Sequence, residues 1–420
     1  MKYLIRITWI SILFAISISA IFVSCDRDDE NNDGPYIEPR IAWSEILGDM
    51  EFSSLAMGAD NIIYFAANNK LLAYTTSGMF VWECALGNNL ESPVLDQSGN
   101  IYVQDKKCNL YAVSSDGQKK WEFKIDLPYS IGYKMPAIGP EGNVYIVGDS
   151  VYAFNSEGTK LWSYFPEEYH YFGPMLITTS TPTVGSDGTV YIVLHPEHQL
   201  DLVALNQDGT EKWHTIITDA YYCVGSITIG QDGTLYFPGE TGDGDPHYLY
   251  AYTKNGDLKW RIEAPYLNRI RASVSIGEDG TLYIGTKASD AHEAVFMALD
   301  PDNGQIYWEF ITERTHGVPD DIYVSATIGK DGIIYFSCEN SILYALNNDG
   351  TEEWRITFDS LNGGTPGFSC PVIDMNGLMY QTVFGSEGGL YAITTDSKGL
   401  ANTPWPKFRR NNANSGRGSN

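Results

Sequence analysis

The chain has 420 residues and a formal net charge of −26, is 43% hydrophobic, and contains 28 Tyr and 10 Trp. This apolar and aromatic content excludes a disordered chain and favours a β-rich fold, because aromatic side chains suit pleated sheets. A surface this acidic repels phosphate backbones, so we expect no nucleic acid partner.

The first 24 residues are predicted to be a signal peptide. Lys2 and Arg6 precede an apolar run over residues 7–23, which is a charged segment followed by a hydrophobic segment. The run is short for a membrane-spanning helix, which needs roughly 20 residues.

The apolar run ends in FVSC, which resembles the lipidation site of bacterial lipoproteins. Cys25 is therefore the expected lipidated residue, and residues 25–40 are expected to form an acidic, flexible tether. This predicts an envelope protein that is lipid-anchored to the outer membrane, either periplasmic or surface-exposed, with no other membrane contact. The alternative is an ordinary secretory peptide with a chance cysteine.

Beyond the tether, one hairpin phrase recurs eight times. SVSIGEDGTLYIGT at residue 273 is typical: apolar and polar residues alternate on both sides of an Asp-Gly pair. Such a pair between alternating runs is the strongest local hairpin signal. A tyrosine marks each copy, and a turn residue (Asn61 in the first copy, Gly in the others) stands three positions before it. The tyrosines are Tyr64, Tyr102, Tyr145, Tyr191, Tyr236, Tyr283, Tyr335 and Tyr380.

A second hairpin phrase follows each first one, as in YALNNDGTEEW at residue 344, with an Ala, a turn Gly and a closing Trp. Each unit therefore contains four strands, here called A to D, and four-stranded units with a period of roughly 40–50 residues predict a β-propeller. The indole would be buried between blades, and the small Ala would leave room for the adjacent sheet. The closing residues are Trp82, Trp121, Trp162, Trp213, Trp260, Trp308 and Trp354.

The predicted fold is all-β: an eight-bladed β-propeller of four-stranded antiparallel blades over residues 41–410, followed by a disordered tail at 411–420. IAWSEIL at residue 41 resembles a fourth strand without the three strands that normally precede it, and Trp43 stands at the position of the closing Trp. The eighth unit lacks a regular fourth strand of its own. We therefore expect the N-terminal strand to complete the last blade and close the ring. The alternative is that the segment around Trp405 forms that strand.

The Ala…Gly-x-x-x-Trp pattern resembles the tryptophan-docking motif of the quinoprotein (PQQ-like) β-propeller repeat family, and PWPKFRRNNANSGR near the C-terminus resembles a tail common in its secreted members. Enzymes of this family bind pyrroloquinoline quinone (PQQ) and Ca²⁺, with an adjacent Cys pair and a catalytic Asp. This chain has no adjacent Cys pair. Outside the repeated docking motif, it also has no Trp positioned to form the quinone floor, the indole on which a bound quinone would stack.

The resemblance therefore implies the family's non-enzymatic lipoprotein branch, which includes the propeller lipoprotein of the outer-membrane barrel-assembly machine. We expect a non-catalytic protein-binding or assembly scaffold without a cofactor, whose partner is an envelope protein or a glycan. A divergent dehydrogenase that uses PQQ and calcium is one alternative, and a surface glycan-binding propeller is another, because fold alone does not fix function.

Four-stranded blades place the A–B and C–D turns on one face, here called the turn face, and the B–C and D–A loops on the other, here called the loop face. The loops vary while the turns are nearly uniform, so the loop face is the expected binding face. Its aromatic and cationic residues suit interface anchoring, although the tyrosines could instead only cover the blade ends. The candidates are Tyr169, His170, Tyr171, Phe172, Tyr221, Tyr222, Tyr266, Arg269, Arg271 and His316.

The remaining polar residues give weaker signals. Asp243 and Asp245 could offer oxygen ligands to Ca²⁺, but a solvated polar loop is the expected alternative and no metal is predicted. Histidines such as His195 and His292 also lie in these loops. No catalytic motif is present, so no catalytic residue is predicted. Five cysteines besides Cys25 are expected to be small buried side chains, with their pairing left open.

Overall fold

The computed structural model describes residues 41–50, 53–67, 69–87, 89–125, 127, 134–166, 177–178, 180–196, 199–242, 245–288, 292–313, 320–339, 341–358 and 368–418. These residues belong to the unit Glu38–Asn420. The predicted signal peptide and tether, including Cys25, lie outside the described residues. In the described part of the chain, no helix is long and apolar enough to cross a membrane.

The predicted eight-bladed, all-β propeller is confirmed. Antiparallel sheets follow one another along the chain, and in each the strands pair in the order A-B-C-D. In blade 4, Ile177–Thr178 also pairs with strand B. Strands A to C are buried and strand D is exposed on alternate residues, so A is the innermost strand and D forms the rim.

The strands of blades 1 to 4 are Ala56–Met57, Ile62–Ala67, Lys70–Thr75 and Phe80–Ala85; Val94–Leu95, Ile101–Gln104, Leu110–Val113 and Lys119–Phe123; Ala137–Ile138, Val144–Val147, Val151–Phe154 and Lys160–Tyr164; Thr183–Val184, Val190–His195, Leu200–Leu205 and Glu211–Ile217. Those of blades 5 to 8 are Thr228–Ile229, Leu235–Gly239, Tyr248–Tyr252 and Leu258–Glu263; Ser275–Ile276, Leu282–Gly285, Val295–Leu299 and Ile306–Ile311; Thr327–Ile328, Ile334–Cys338, Ile342–Leu346 and Glu352–Thr357; Val372–Ile373, Leu378–Val383, Gly385–Thr394 and Ile41–Met50. One 3₁₀ turn, Pro265–Leu267, is described.

The N-terminal strand closes the ring. Ile41–Met50 pairs antiparallel with Gly385–Thr394 of blade 8, and Trp43 lies opposite Ala392. The first strand of the fold thus completes the last blade, as predicted from the position of Trp43. Trp405 does not form this strand, so the alternative is wrong.

The tyrosine and tryptophan that mark each repeat belong to one contact. In blade 5, Tyr236 of strand B lies opposite Ala251 of strand C, which lies opposite Trp260 of strand D. Residues that are directly opposite point to the same face, so the Ala methyl leaves room for the two rings to meet above it. The ring centroids of this Tyr–Trp pair are between 5.6 and 6.1 Å apart in all eight blades. Burial raises the pKa of Tyr191 and of Tyr283 to about 12.

Each of these indoles also joins its blade to the next. Trp82 donates its indole N–H to the carbonyl of Ser115 in the C–D turn of blade 2, at 2.9 Å. Gly117 in that turn has φ +85°, and a Cβ there would lie 2.7 Å from the Trp82 ring, so glycine is needed for both its conformation and its size. The same indole hydrogen bond links further pairs of adjacent blades through Trp43, Trp121, Trp162, Trp213, Trp260 and Trp308.

The C-terminal segment 399–418, here called the axial segment, runs past the innermost strands. Amide groups at the end of strand A donate to its carbonyls in blades 1 to 4, 6 and 7, for example Met57 to Asn412 O and Ile276 to Trp405 O. In blade 8, Asn412 Nδ2 donates to the carbonyl of Ile373. A segment that contacts blades all around the ring must cross the central channel, and it does so at the ends of the A strands on the turn face.

The expectation of a disordered tail at 411–420 is wrong for residues 411–418, which are packed and hydrogen-bonded. The physical reason is that the innermost strands turn main-chain polar groups toward the channel, and these groups need hydrogen-bond partners. Arg409 is fully buried and donates to Pro136 O, Pro182 O and Thr181 Oγ1. Lys407 is also fully buried and donates to Asn414 Oδ1 at 2.8 Å. Burial lowers the pKa of the Lys407 ammonium group to about 8.

We expect Ala251→Leu to lower the free energy of unfolding by about 1–3 kcal/mol, because the larger side chain would separate the Tyr236 and Trp260 rings in a packed core. Urea unfolding followed by tryptophan fluorescence measures the loss. Ala85→Leu, at the exposed end of a D strand, is the control and should change stability little. Equal effects of the two substitutions would contradict the role given to the Tyr–Ala–Trp row.

We expect truncation after Lys398 to lower the thermal unfolding temperature and to make the propeller sensitive to limited proteolysis. Each main-chain hydrogen bond lost by an A strand contributes about 0.5–1.5 kcal/mol. Truncation after Gly418 removes only two residues and should leave both properties unchanged. If the shorter chain is as stable as the control, the axial segment is not a structural part of the ring.

Candidate binding face

The loops of the loop face are fixed by short antiparallel bridges. Each of these bridges joins a residue of a D–A loop to a residue at or just beyond the end of strand B of the next blade. Tyr222 and Glu240 exchange main-chain hydrogen bonds of 2.7 and 3.1 Å, and the amide of Lys287 donates to Arg269 O at 2.6 Å. The loop positions are therefore set by main-chain pairing before any partner binds.

Glu240 holds the two arginines predicted from the sequence. Its carboxylate, only 4% exposed, lies 2.8 Å from Arg271 Nε and 3.8 Å from Arg269 Nη1. Burial alone would lower the pKa of Arg271, but the hydrogen bond to Glu240 and its charge raise the pKa above its ordinary value. Both arginine side chains remain about 30% exposed, at 31% and 29%. The pair is thus oriented by a buried carboxylate and still accessible to a partner.

A second ion pair continues this arrangement into blades 6 and 7. Lys287 Nζ lies 2.9 Å from Tyr323 Oη and 3.2 Å from Asp321 Oδ2. Tyr323 donates its hydroxyl to Asp321 at 2.8 Å, and its ring lies 6.0 Å from the Arg271 guanidinium. Charged and aromatic groups from three blades therefore form one connected network.

Two exposed tyrosine rings lie on the loops that carry or contact this network. Tyr222 is 50% exposed, and its ring centroid lies 4.7 Å from that of His195. Tyr266 is 46% exposed, is stacked on His292 at 4.9 Å and has a left-handed φ of +57°, which is uncommon for a residue other than glycine. The loop-face cluster is defined as His195, Tyr222, Glu240, Tyr266, Arg269, Arg271, Lys287, His292, Asp321 and Tyr323.

The structure brings together Tyr222, Tyr266, Arg269 and Arg271 of the predicted candidates. Tyr221 lies beside them and its amide donates to Glu240 O. Sequence reasoning missed Glu240, Lys287, Asp321 and Tyr323; the signal that could have found Glu240 and Lys287 is their shared position just after strand B. The other predicted candidates lie outside the described residues: Tyr169, His170, Tyr171, Phe172 and His316.

The possible metal ligands and the cysteines are described only in part. Asp243 lies outside the described residues, and within them no group of three or more His, Cys, Asp or Glu side chains is placed to hold a metal ion. The docking tryptophans lie in the rim strands and Trp405 in the axial segment, so these indoles do not suit a quinone floor on the loop face. In this part of the chain the cysteines are free: Cys108, Cys223, Cys338 and Cys370 are buried and Cys84 is half-buried.

Comparisons with known proteins agree with this fold. A protein-family profile described as outer membrane protein assembly factor BamB matches residues 40–130. The resemblance predicted from the repeat is therefore confirmed over this part of the chain. A search of curated protein sequences finds no match.

Solved propellers cover most of the chain at low identity. The crystal structure of BamB from Moraxella catarrhalis is 14% identical, with a TM-score of 0.57, covering 85% of this chain and 99% of that one. The Dos1 propeller is 10% identical with a TM-score of 0.64, covering 86% and 95%. The C-terminal WD40 domain of Sif2 has the same identity and TM-score, covering 86% and 99%. At these identities the likeness shows the fold alone.

We expect Arg271→Ala to lower the free energy of unfolding by about 2 kcal/mol, because it leaves the buried Glu240 carboxylate without its closest cation. Glu240→Gln in the same chain should recover part of this loss. A double-mutant cycle measured by urea unfolding gives the coupling energy. Arg269→Ala, which removes the more distant cation, should have the smaller effect; additive effects of Arg271→Ala and Glu240→Gln would contradict the pairing.

Proposed function

We propose that this protein is a non-catalytic binding and assembly scaffold of the cell envelope, which captures a protein partner on its loop-face cluster. The observation that carries the proposal is the pair of exposed rings, Tyr222 and Tyr266, on loops that main-chain bridges hold in place. The loop of Tyr266 also carries Arg269 and Arg271, whose guanidinium groups are oriented by the buried carboxylate of Glu240.

Physical chemistry supports this use of the cluster. Tyrosine and arginine are enriched among the residues that dominate binding energy at protein interfaces. The bridges fix the main chain of these loops, and Glu240 orients the two arginine side chains. Less conformational entropy is therefore left to lose on binding. The residues around the cluster form ion pairs and turns, and no described set of them resembles a nucleophile, base and orienting group.

The resemblance to the BamB-type profile supports a role in the envelope. BamB is an outer membrane protein assembly factor by its description, and a scaffold of that kind works through protein contacts. We propose that the present chain is held at the outer membrane through a lipidated Cys25, and that it uses neither PQQ nor calcium. Palmitate labelling of the chain and of a Cys25→Ser variant tests the anchor: the label should disappear in the variant.

The partner is sought by crosslinking and affinity capture from intact envelopes, with the tagged full-length chain. We expect Tyr222→Ala/Tyr266→Ala to lower the recovery of the captured protein at least about tenfold, since each interface anchor contributes on the order of 2 kcal/mol. Tyr307→Ala is the matched control, because Tyr307 is equally exposed, at 54%, but lies in a D strand of the rim. Unchanged capture by the double variant, or an equal loss in the control, would overturn the assignment of the loop face.

Glycan binding is the second candidate function. The exposed Tyr222 and Tyr266 rings, each set against a histidine, offer flat surfaces on which a sugar ring can stack. A glycan array probed with the wild type and with Tyr222→Ala/Tyr266→Ala separates the two functions: binding to defined glycans that the variant loses would favour this candidate. Dye reduction with an alcohol or a sugar after loading with PQQ and Ca²⁺ would instead favour a dehydrogenase.

A further inference from the structure

Exposed apolar side chains stand at the start of two neighbouring rim strands, those of blades 8 and 1. We define the apolar rim as Ile41, Met79, Phe80 and Val81, whose exposed fractions are 45, 63, 54 and 44%. Ile41 and Phe80 each stand two residues before the docked Trp of their own blade, so they occupy equivalent positions in neighbouring D strands. All four therefore lie at the turn-face end of the rim.

The packing of the ring-closing strand brings the two blades together at this place. Trp43 of blade 8 donates to Thr76 O in the C–D turn of blade 1 and packs against Gly78. Met79 follows directly in the chain. Beside it, Phe80 lines a groove of about 170 Å³ together with Leu47 of the closing strand. Phe80 thus connects the apolar rim to a groove between the two blades that is lined by apolar side chains and by the Lys70–Glu83 ion pair.

Blade 1 differs from the other blades in having three consecutive apolar residues before its docked Trp, Met-Phe-Val. The corresponding residues are Gln-Lys-Lys at 118–120, Thr-Lys-Leu at 159–161, Thr-Glu-Lys at 210–212, Asp-Leu-Lys at 257–259, Gln-Ile-Tyr at 305–307 and Thr-Glu-Glu at 351–353. A rim strand is an edge that proteins normally protect with charged side chains. Three consecutive exposed apolar residues at one blade therefore indicate a surface that is covered in use.

The position of the apolar rim in the chain indicates what covers it. Ile41 is the first residue of the propeller and belongs to the apolar rim itself. Residues 25–40, which lead back to the anchoring cysteine, reach at most about 55 Å when fully extended. The apolar rim is therefore the part of the propeller that the chain holds closest to its anchor.

We propose that the apolar rim rests on the lipid surface to which Cys25 tethers the chain, so that the membrane contact extends beyond the lipid anchor. This inference rests on the anchoring in the proposed function. An anionic lipid surface repels a chain of net charge −26. The contact therefore depends on burying apolar side chains, helped by the high local concentration that a short tether gives. The turn face is then directed toward the bilayer and the loop-face cluster away from it.

The test uses the full lipidated chain, purified in detergent and reconstituted into vesicles of phosphatidylethanolamine and phosphatidylglycerol that carry a fluorescent lipid. The photoreactive residue p-benzoylphenylalanine replaces either Val81 or Leu161. The two positions are matched, because both immediately precede a docked Trp and are exposed by 44 and 47%. Flotation in a density gradient is measured first, to establish that each protein is anchored.

We expect the lipid crosslink at position 81 to exceed that at position 161 at least about tenfold, the factor that corresponds to burying one apolar side chain. With the photoreactive residue at position 41, Met79→Ser/Phe80→Ser should remove the lipid crosslink while flotation persists. Equal crosslinking at positions 81 and 161, or crosslinks from position 81 to a second copy of the chain, would overturn the inference alone. Failure to float would overturn the anchoring on which it rests.

Discussion

The structure depends on one row of side chains that is repeated in every blade: a tyrosine, an alanine and a tryptophan opposite one another on strands B, C and D. A four-stranded sheet of this size cannot bury both of its faces alone. The row gives each sheet an aromatic pair on one face, and the indole N–H then bonds to the next blade. Because one residue serves both contacts, packing within a blade and docking between blades form together.

This arrangement explains why the two faces of the propeller differ. The tryptophan stands near the start of strand D and docks on the C–D turn of the next blade, where Gly117 and its equivalents lie against an indole. Each C–D turn that receives an indole is thus constrained by the neighbouring blade. In the described D–A loops, main-chain bridges such as that between Tyr222 and Glu240 hold the chain and place no demand on the side chain. The loop face is therefore free to carry specific chemistry.

The same reasoning shows what the sequence could reveal. The blades and the ring closure by Trp43 were predictable, because the row repeats residue types at fixed spacing. Arg269 and Arg271 were found because they lie in a D–A loop, but Glu240 was missed, since it is some 30 residues away and only the sheet brings it to Arg271. Long-range pairs of this kind carry no local pattern, and the axial segment was missed because its partners are largely main-chain groups.

The axial segment follows from the number of blades. Eight blades leave a central channel, and their innermost strands turn main-chain groups toward it that must be satisfied. Carbonyls of Pro136 and Pro182 receive hydrogen bonds from Arg409, and those of Leu55 and Pro93 receive them from Asn414. A buried guanidinium is costly unless its donors find partners, and inward carbonyls supply partners for the two terminal nitrogens of Arg409. The axial segment therefore supplies donors to the inward carbonyls of the channel, and those carbonyls supply acceptors to its buried side chains.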